Sequence, residues 1–288
     1  MKAIFVASVG ILILGLSSCT PVSPRDGNQT SQIASQTDAQ TQQIVKIASS
    51  TSTATVLKLL AEAYQANNKT VKIEFVSLSQ SEGAIAAVQN RIVDIAGITH
   101  RLKPEEDNGK IQYRELAKDL LTVATHSSVQ GVTNLTSKDL RAIYRGEIAN
   151  WKELGGPDAT ILVLDRPEDE SAKKLLRQYY LSQEKTTSKA IILNKEGELI
   201  QTLQDTPYSI GAFSLAYSSI NQLPVNRLSL NGVAPTVENF INGVYPMVRQ
   251  MGLVWDKVPS AATQRFIDFI FSPAGVKVLQ NNGFVPVT

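Results

Sequence analysis

The chain has 288 residues, 43% of them hydrophobic and 19% charged, with a formal net charge of +2. That length and apolar content suit one large domain or two lobes of roughly 100–150 residues. A nearly balanced charge without a Lys/Arg block excludes the basic face of a nucleic-acid binder.

The N-terminus comes first. Lys2 precedes an apolar run from Ala3 to Gly15. The run is short for a membrane span and has the length of a signal-peptide core. It ends in Leu16-Ser17-Ser18-Cys19, which resembles a bacterial lipobox. Residues 1–18 are therefore expected to be a signal peptide, with Cys19 as the lipidation site. A lipidated cysteine carries the two or more acyl chains that stable anchoring needs. Cys19 is the only cysteine, so no disulfide can form within the chain and no thiol remains for catalysis or metal binding. Residues 19–43 are rich in Ser, Thr, Gln and Asn and are expected to be a flexible tether.

Regular structure is expected from Ile44. Ile44–Ile47 reads as a strand and Ala54–Asn67 as a helix with apolar residues at helical spacing. Val71–Val76 alternates as a strand. A helix over Gly83–Asn90 and a strand over Val93–Ala96 complete a βαβαβ series, which favours a parallel sheet flanked by helices. Further strands are expected at Leu120–Ala124, Ala159–Leu164, Ile210–Ala216 and Leu228–Leu230. Helices are expected at Ser137–Tyr144 behind the N-cap Thr136, and at Glu170–Tyr180, Val237–Asn242 and Ala261–Phe271. The two histidines, His100 and His126, have no partner at ligand spacing, which argues against a zinc site; no metal and no cofactor is expected.

Ligands of open α/β sheets sit beyond the carboxyl ends of strands, at helix N-termini whose free N–H groups suit oxyanions. Three loops have that setting: Ser49-Ser50-Thr51-Ser52-Thr53, Ser77-Leu78-Ser79-Gln80-Ser81 and Arg166-Pro167-Glu168-Asp169-Glu170-Ser171. Read alone, each is also consistent with ordinary helix capping.

A longer pattern runs from Asn134-Leu135-Thr136-Ser137-Lys138-Asp139-Leu140 through Ile143-Tyr144-Arg145-Gly146 to Asn150-Trp151-Lys152-Glu153-Leu154-Gly155-Gly156. It continues at Ser209-Ile210-Gly211-Ala212, at Asn231-Gly232-Val233-Ala234-Pro235-Thr236 and at Phe269-Ile270-Phe271-Ser272-Pro273-Ala274-Gly275. In this order the segments resemble the phosphate-binding proteins of phosphate ABC transporters. The resemblance implies an α/β periplasmic-binding-protein fold of the second type, with a ligand cleft between two lobes. Residues 44–125 and 221–288 are expected in lobe 1 and residues 126–220 in lobe 2.

The resemblance also implies a metal-free anion site. Thr51, with Ser52 beside it, falls on a phosphate-contacting threonine, Ser81 on a serine of a glycine-rich loop, and Arg166 on the arginine that opens Arg-x-x-Gly-Ser-Gly-Thr. The departures are Thr99-His100 where many members carry Ser-Arg, and Asp169-Glu170-Ser171-Ala172 in place of Gly-Ser-Gly-Thr. Glu170 either occupies the place of the anion or, with Asp169, faces solvent as an acidic first turn. The candidate ligand residues are thus Thr51, Ser52, Ser81, Thr99, His100, Arg166, Glu170 and Ser171. The implied function is a monomeric, membrane-anchored lipoprotein that delivers phosphate or a similar oxyanion to an ABC permease. The alternative is a divergent paralogue with another ligand or a sensing role. No nucleophile–base pair or phosphate-loop motif points to an enzyme.

Overall fold

The computed structural model describes residues 42–76 and 80–287. The expected signal peptide, Cys19 and nearly all of the tether lie outside these residues, as do Ser77, Leu78 and Ser79 of the second hydroxyl loop.

In chain order the first half is β1 (Gln43–Ser49), α1 (Thr51–Asn67), β2 (Val71–Val76), α2 (Ser81–Gln89), β3 (Ile95–Ile98) and the long β4 (Ile111–His126). The second half begins with β5 (Asn134–Leu135), α3 (Ser137–Arg145), β6 (Leu162–Asp165), α4 (Ser171–Leu176), β7 (Ile191–Ile192) and α5 (Glu196–Asp205). It goes on through β8 (Ser209–Ser214), α6 (Leu215–Ile220), β9 (Val225–Arg227), β10 (Ser229–Leu230) and α7 (Val237–Ile241). The chain then returns along β11 (Val248–Asp256) to α8 (Ala261–Ile270), α9 (Pro273–Asn281) and β12 (Val285–Pro286).

The main sheet is ordered β2-β1-β3-β11-β4-β8-β6-β7. Strands β1, β2 and β3 are mutually parallel, as the βαβαβ series requires. The sheet as a whole is mixed, because β11 runs antiparallel to β3 and β4, and β4 antiparallel to β8. Strand β4 belongs to both halves: Ile111–Leu120 pairs with β11, and Leu121–Thr125 pairs with β8.

Each half is covered on both faces, because successive strand residues point to opposite sides. In the first half Ile47 and Leu253 pack under α1, α8 and α9, while their neighbours Ala48 and Val254 pack under α2. In the second, Val123, Val163 and Ala212 pack beneath α3, α4 and the fully buried Trp151, while Ala124, Leu164 and Phe213 pack beneath α5. The four clusters lie two to each half, one on either face of the sheet.

Two sequence expectations are corrected. Residues 225–247 pack with the second half: β9 pairs with Ala124–His126, and Leu228, Leu230, Tyr245 and Met247 share a core with Leu140 and Trp151. The expected return to lobe 1 at residue 221 therefore moves to β11. The helix expected over Glu170–Tyr180 starts at Ser171 and widens to π geometry over Arg177–Leu181.

Candidate functional site

The helix starts decide where the polar groups meet. Ser50 caps α1, its Oγ accepting from the Thr53 N–H at 3.3 Å. Gln80 precedes α2 without using its side chain as a cap, and Glu170 does the same at α4. All three starts open onto one cavity of about 300 Å³, at the small end of the range for small-molecule sites. Ser50, Ser52, Gln80, Ser81, Glu82, Thr99, His100 and Lys103 line it from the first half, and Asp169, Glu170, Ser171 and Lys174 from the second. It is thus a cleft between the lobes.

Ser81 joins α2 to the end of β3: the Thr99 N–H donates to its Oγ at 3.3 Å, and the two hydroxyls lie 3.4 Å apart. His100 faces Glu106, with Nε2 at 2.9 and 3.0 Å from the carboxylate oxygens. Glu106 lies below the usual glutamate range. Burial pushes it up, but the Lys103 N–H, His100 and the Lys103 charge together outweigh burial.

The third loop differs from the expected anion clamp. Arg166 is buried, donates from Nη1 to the Leu193 carbonyl at 2.9 Å, and pairs through Nη2 with Glu170 Oε2 at 2.9 Å. It does not line the cavity; Glu170 stands in front of it. The other Glu170 oxygen accepts from Gln80 Nε2 at 3.3 Å, across the cleft. Of the two readings of the acidic turn, Glu170 is the buried wall residue and Asp169 the exposed one.

Of the candidates, Ser52, Ser81, Thr99, His100, Glu170 and Ser171 line one cavity, Arg166 lies behind it, and Thr51 is the first residue of α1. Sequence reasoning passed over Lys103, Lys174 and a buried network beneath the cavity. In that network Arg249 on β11 bonds Asp119 on β4 at 2.6 Å and Glu196 at the start of α5 at 3.3 Å. Of the three, only Arg249 carries a sequence signal, a single charge among the uncharged residues from Val244 to Trp255.

Among the described residues no cluster of His, Cys, Asp and Glu could hold a metal ion, and no helix is long and apolar enough to cross a membrane. The site is a lined, polar, interlobe cavity for a small solute. The fold and cleft define a two-lobed solute-binding protein of the second periplasmic-binding type, and residues 34–274 match the profile of the PBP superfamily domain. The chain belongs to that superfamily.

Its relatives include the phosphate-binding protein PstS of Borreliella burgdorferi, 29% identical over 85% of this chain and 91% of that one. PstS of Bacillus subtilis is 29% identical over 55% of this chain and 52% of its own. Among solved structures, a phosphate ABC transporter substrate-binding protein with bound phosphate from Clostridium perfringens superposes with a TM-score of 0.74. It is 28% identical and covers 85% of this chain and 100% of that one.

Proposed function

We propose that this protein is the solute-binding lipoprotein of a phosphate-type ABC importer, working outside the cytoplasm and held to the membrane through Cys19. It takes phosphate or a similar oxyanion into the interlobe cavity, and lobe closure presents the loaded form to the permease. The observation that carries this reading is the convergence of the α1 and α2 starts, with the hydroxyls of Ser50, Ser52, Ser81, Thr99 and Ser171, on one small cavity. These hydroxyls offer donors without fixed charge, and helix starts add a partial positive potential. The relatives named above support phosphate as the ligand.

The Arg166–Glu170 pair favours a second reading, a divergent member with another ligand or a sensing role. The pair neutralises the arginine, and three carboxylates (Glu82, Asp169 and Glu170) share the wall with two lysines. A ligand carrying a cationic group would meet Glu170 favourably.

Titration calorimetry of the chain from Gln43 onward decides between them. Phosphate binding at micromolar Kd or tighter, weakened by Ser81→Ala, supports the first reading. No heat with phosphate, and binding restored when Asp169–Ala172 is replaced by Gly-Ser-Gly-Thr, supports the second. Cys19→Ser in the full chain moves the protein from the membrane to the soluble fraction if the anchor is as proposed.

A further inference from the structure

Arg249 does not line the cavity, yet it touches two residues that do. It is 2% exposed and sits on β11, the strand on which the chain returns to the first lobe. Its Nη1 lies 2.8 Å from Oγ of Ser52, in the first turn of α1, and 3.5 Å from Oγ of Ser171, the first residue of α4. One guanidinium therefore reaches a cavity serine from each side of the cleft.

A guanidinium only donates, so a serine oxygen bonded to it can only accept. The O–H of that serine must then point elsewhere. Among the described residues Ser52 and Ser171 have no other side-chain hydrogen bond, and both face the cavity.

We infer that Arg249 is a positioning residue for the ligand: it holds the Ser52 and Ser171 oxygens as acceptors and so fixes both hydroxyls as donors into the cavity. This rests on the cavity being an oxyanion site. Asp119 and Glu196 hold the guanidinium in place, with Asp119 itself anchored by the Ser214 hydroxyl at 2.8 Å. Because two carboxylates compensate its charge, Arg249 transmits orientation to the site rather than a positive potential. A free hydroxyl rotor, by contrast, can turn its lone pair toward the ligand, a repulsive arrangement for an anion.

A double-mutant cycle tests this with inorganic phosphate as the probe. Ser52→Ala is measured in the wild type and in Arg249→Met/Glu196→Gln, a pair that removes one positive and one negative buried charge together. Expected is a loss of affinity of about 10- to 100-fold for Ser52→Ala in the wild type, the size of a hydrogen bond to a charged group. In the double variant the same substitution should cost under about threefold, since coupled residues are not additive. Thermal melts show that each protein is folded. If the double variant does not fold, Arg249→Met/Asp119→Asn, which likewise removes one buried charge of each sign, carries the same cycle. Equal losses in both backgrounds overturn the role of Arg249 and leave the oxyanion reading standing. A wild type that binds no phosphate and no sulfate overturns both.

Discussion

Glu170→Gln removes one charge from the cavity wall and leaves the shape of the wall almost unchanged. In the wild type the Glu170 and Arg166 side chains are 8% and 4% exposed and their charged atoms lie 2.9 Å apart. Removing one partner of a buried pair costs about 3–5 kcal/mol when the other is left uncompensated. The glutamine carbonyl keeps an acceptor for Arg166, so the lower end, about 3 kcal/mol, is expected for the protein without ligand. The effect on an anion has the opposite sign. A unit charge about 4 Å from another is worth about 4 kcal/mol at intermediate dielectric, or roughly a thousandfold in affinity. Glu170→Gln should therefore melt at a lower temperature alone, bind phosphate about 10- to 1,000-fold more tightly than the wild type, and recover stability as phosphate is added. At a hundredfold excess over Kd that recovery is about 2.7 kcal/mol. Calorimetric melts at several phosphate concentrations, with titration calorimetry, read both quantities. Equal or weaker phosphate binding by the variant refutes the argument, because Glu170 would then be holding the ligand rather than repelling it.

Two further predictions follow from groups beside the cavity. Gly97→Ala places a methyl 2.5 Å from Leu57 Cδ1 and 2.8 Å from Thr53 Oγ1, and overpacking of this kind costs about 1–3 kcal/mol. Because those atoms belong to the first turns of α1, a lower urea midpoint should come with weaker ligand binding; an unchanged midpoint would contradict the packing. Glu106 is held below the 4.5 of a free glutamate by its hydrogen bonds from Lys103 and His100 despite burial, so its contribution is present above pH 4.5 and lost as pH falls through its lower folded value. The urea midpoint should then drop below pH 4.5 by less in Glu106→Gln than in the wild type.

Strands β1 and β2 were legible because local signals agreed. Residues 44–47 and 71–76 carry strand patterns on either side of a helical one, and a βαβ unit has one favoured handedness of assembly. Thr136 reads as a cap and does cap α3, with Asp139 returning the bond to the Thr136 N–H at 2.9 Å. Strand β11 was not legible. Val248–Asp256 holds Arg249, Gln250 and Gly252 within nine residues, so neither period stands out, and it is a strand because β3 and β4 pair with both of its edges. The first half of β4, with Gln112, Arg114 and Glu115 among its apolar residues, is a strand for the same reason. Helix α9 carries readable signals of its own, Ser272 as cap and Pro273 at the first position.

By itself the sequence determined the alternation of strands and helices, the family pattern and half of the residues that line the cavity, because each depends on neighbours close along the chain. Only the tertiary structure decided what the charges do. Arg166 meets Glu170 four residues on, as sequence proximity permits, but whether that pair faces solvent or walls off the cavity depends on how Gln80 and Leu193 approach it. Arg249 reaches Ser52 across 197 positions and Asp119 across 130. A buried charge takes its meaning from its partners, and chain folding brings those partners together from segments whose local patterns carry no trace of one another.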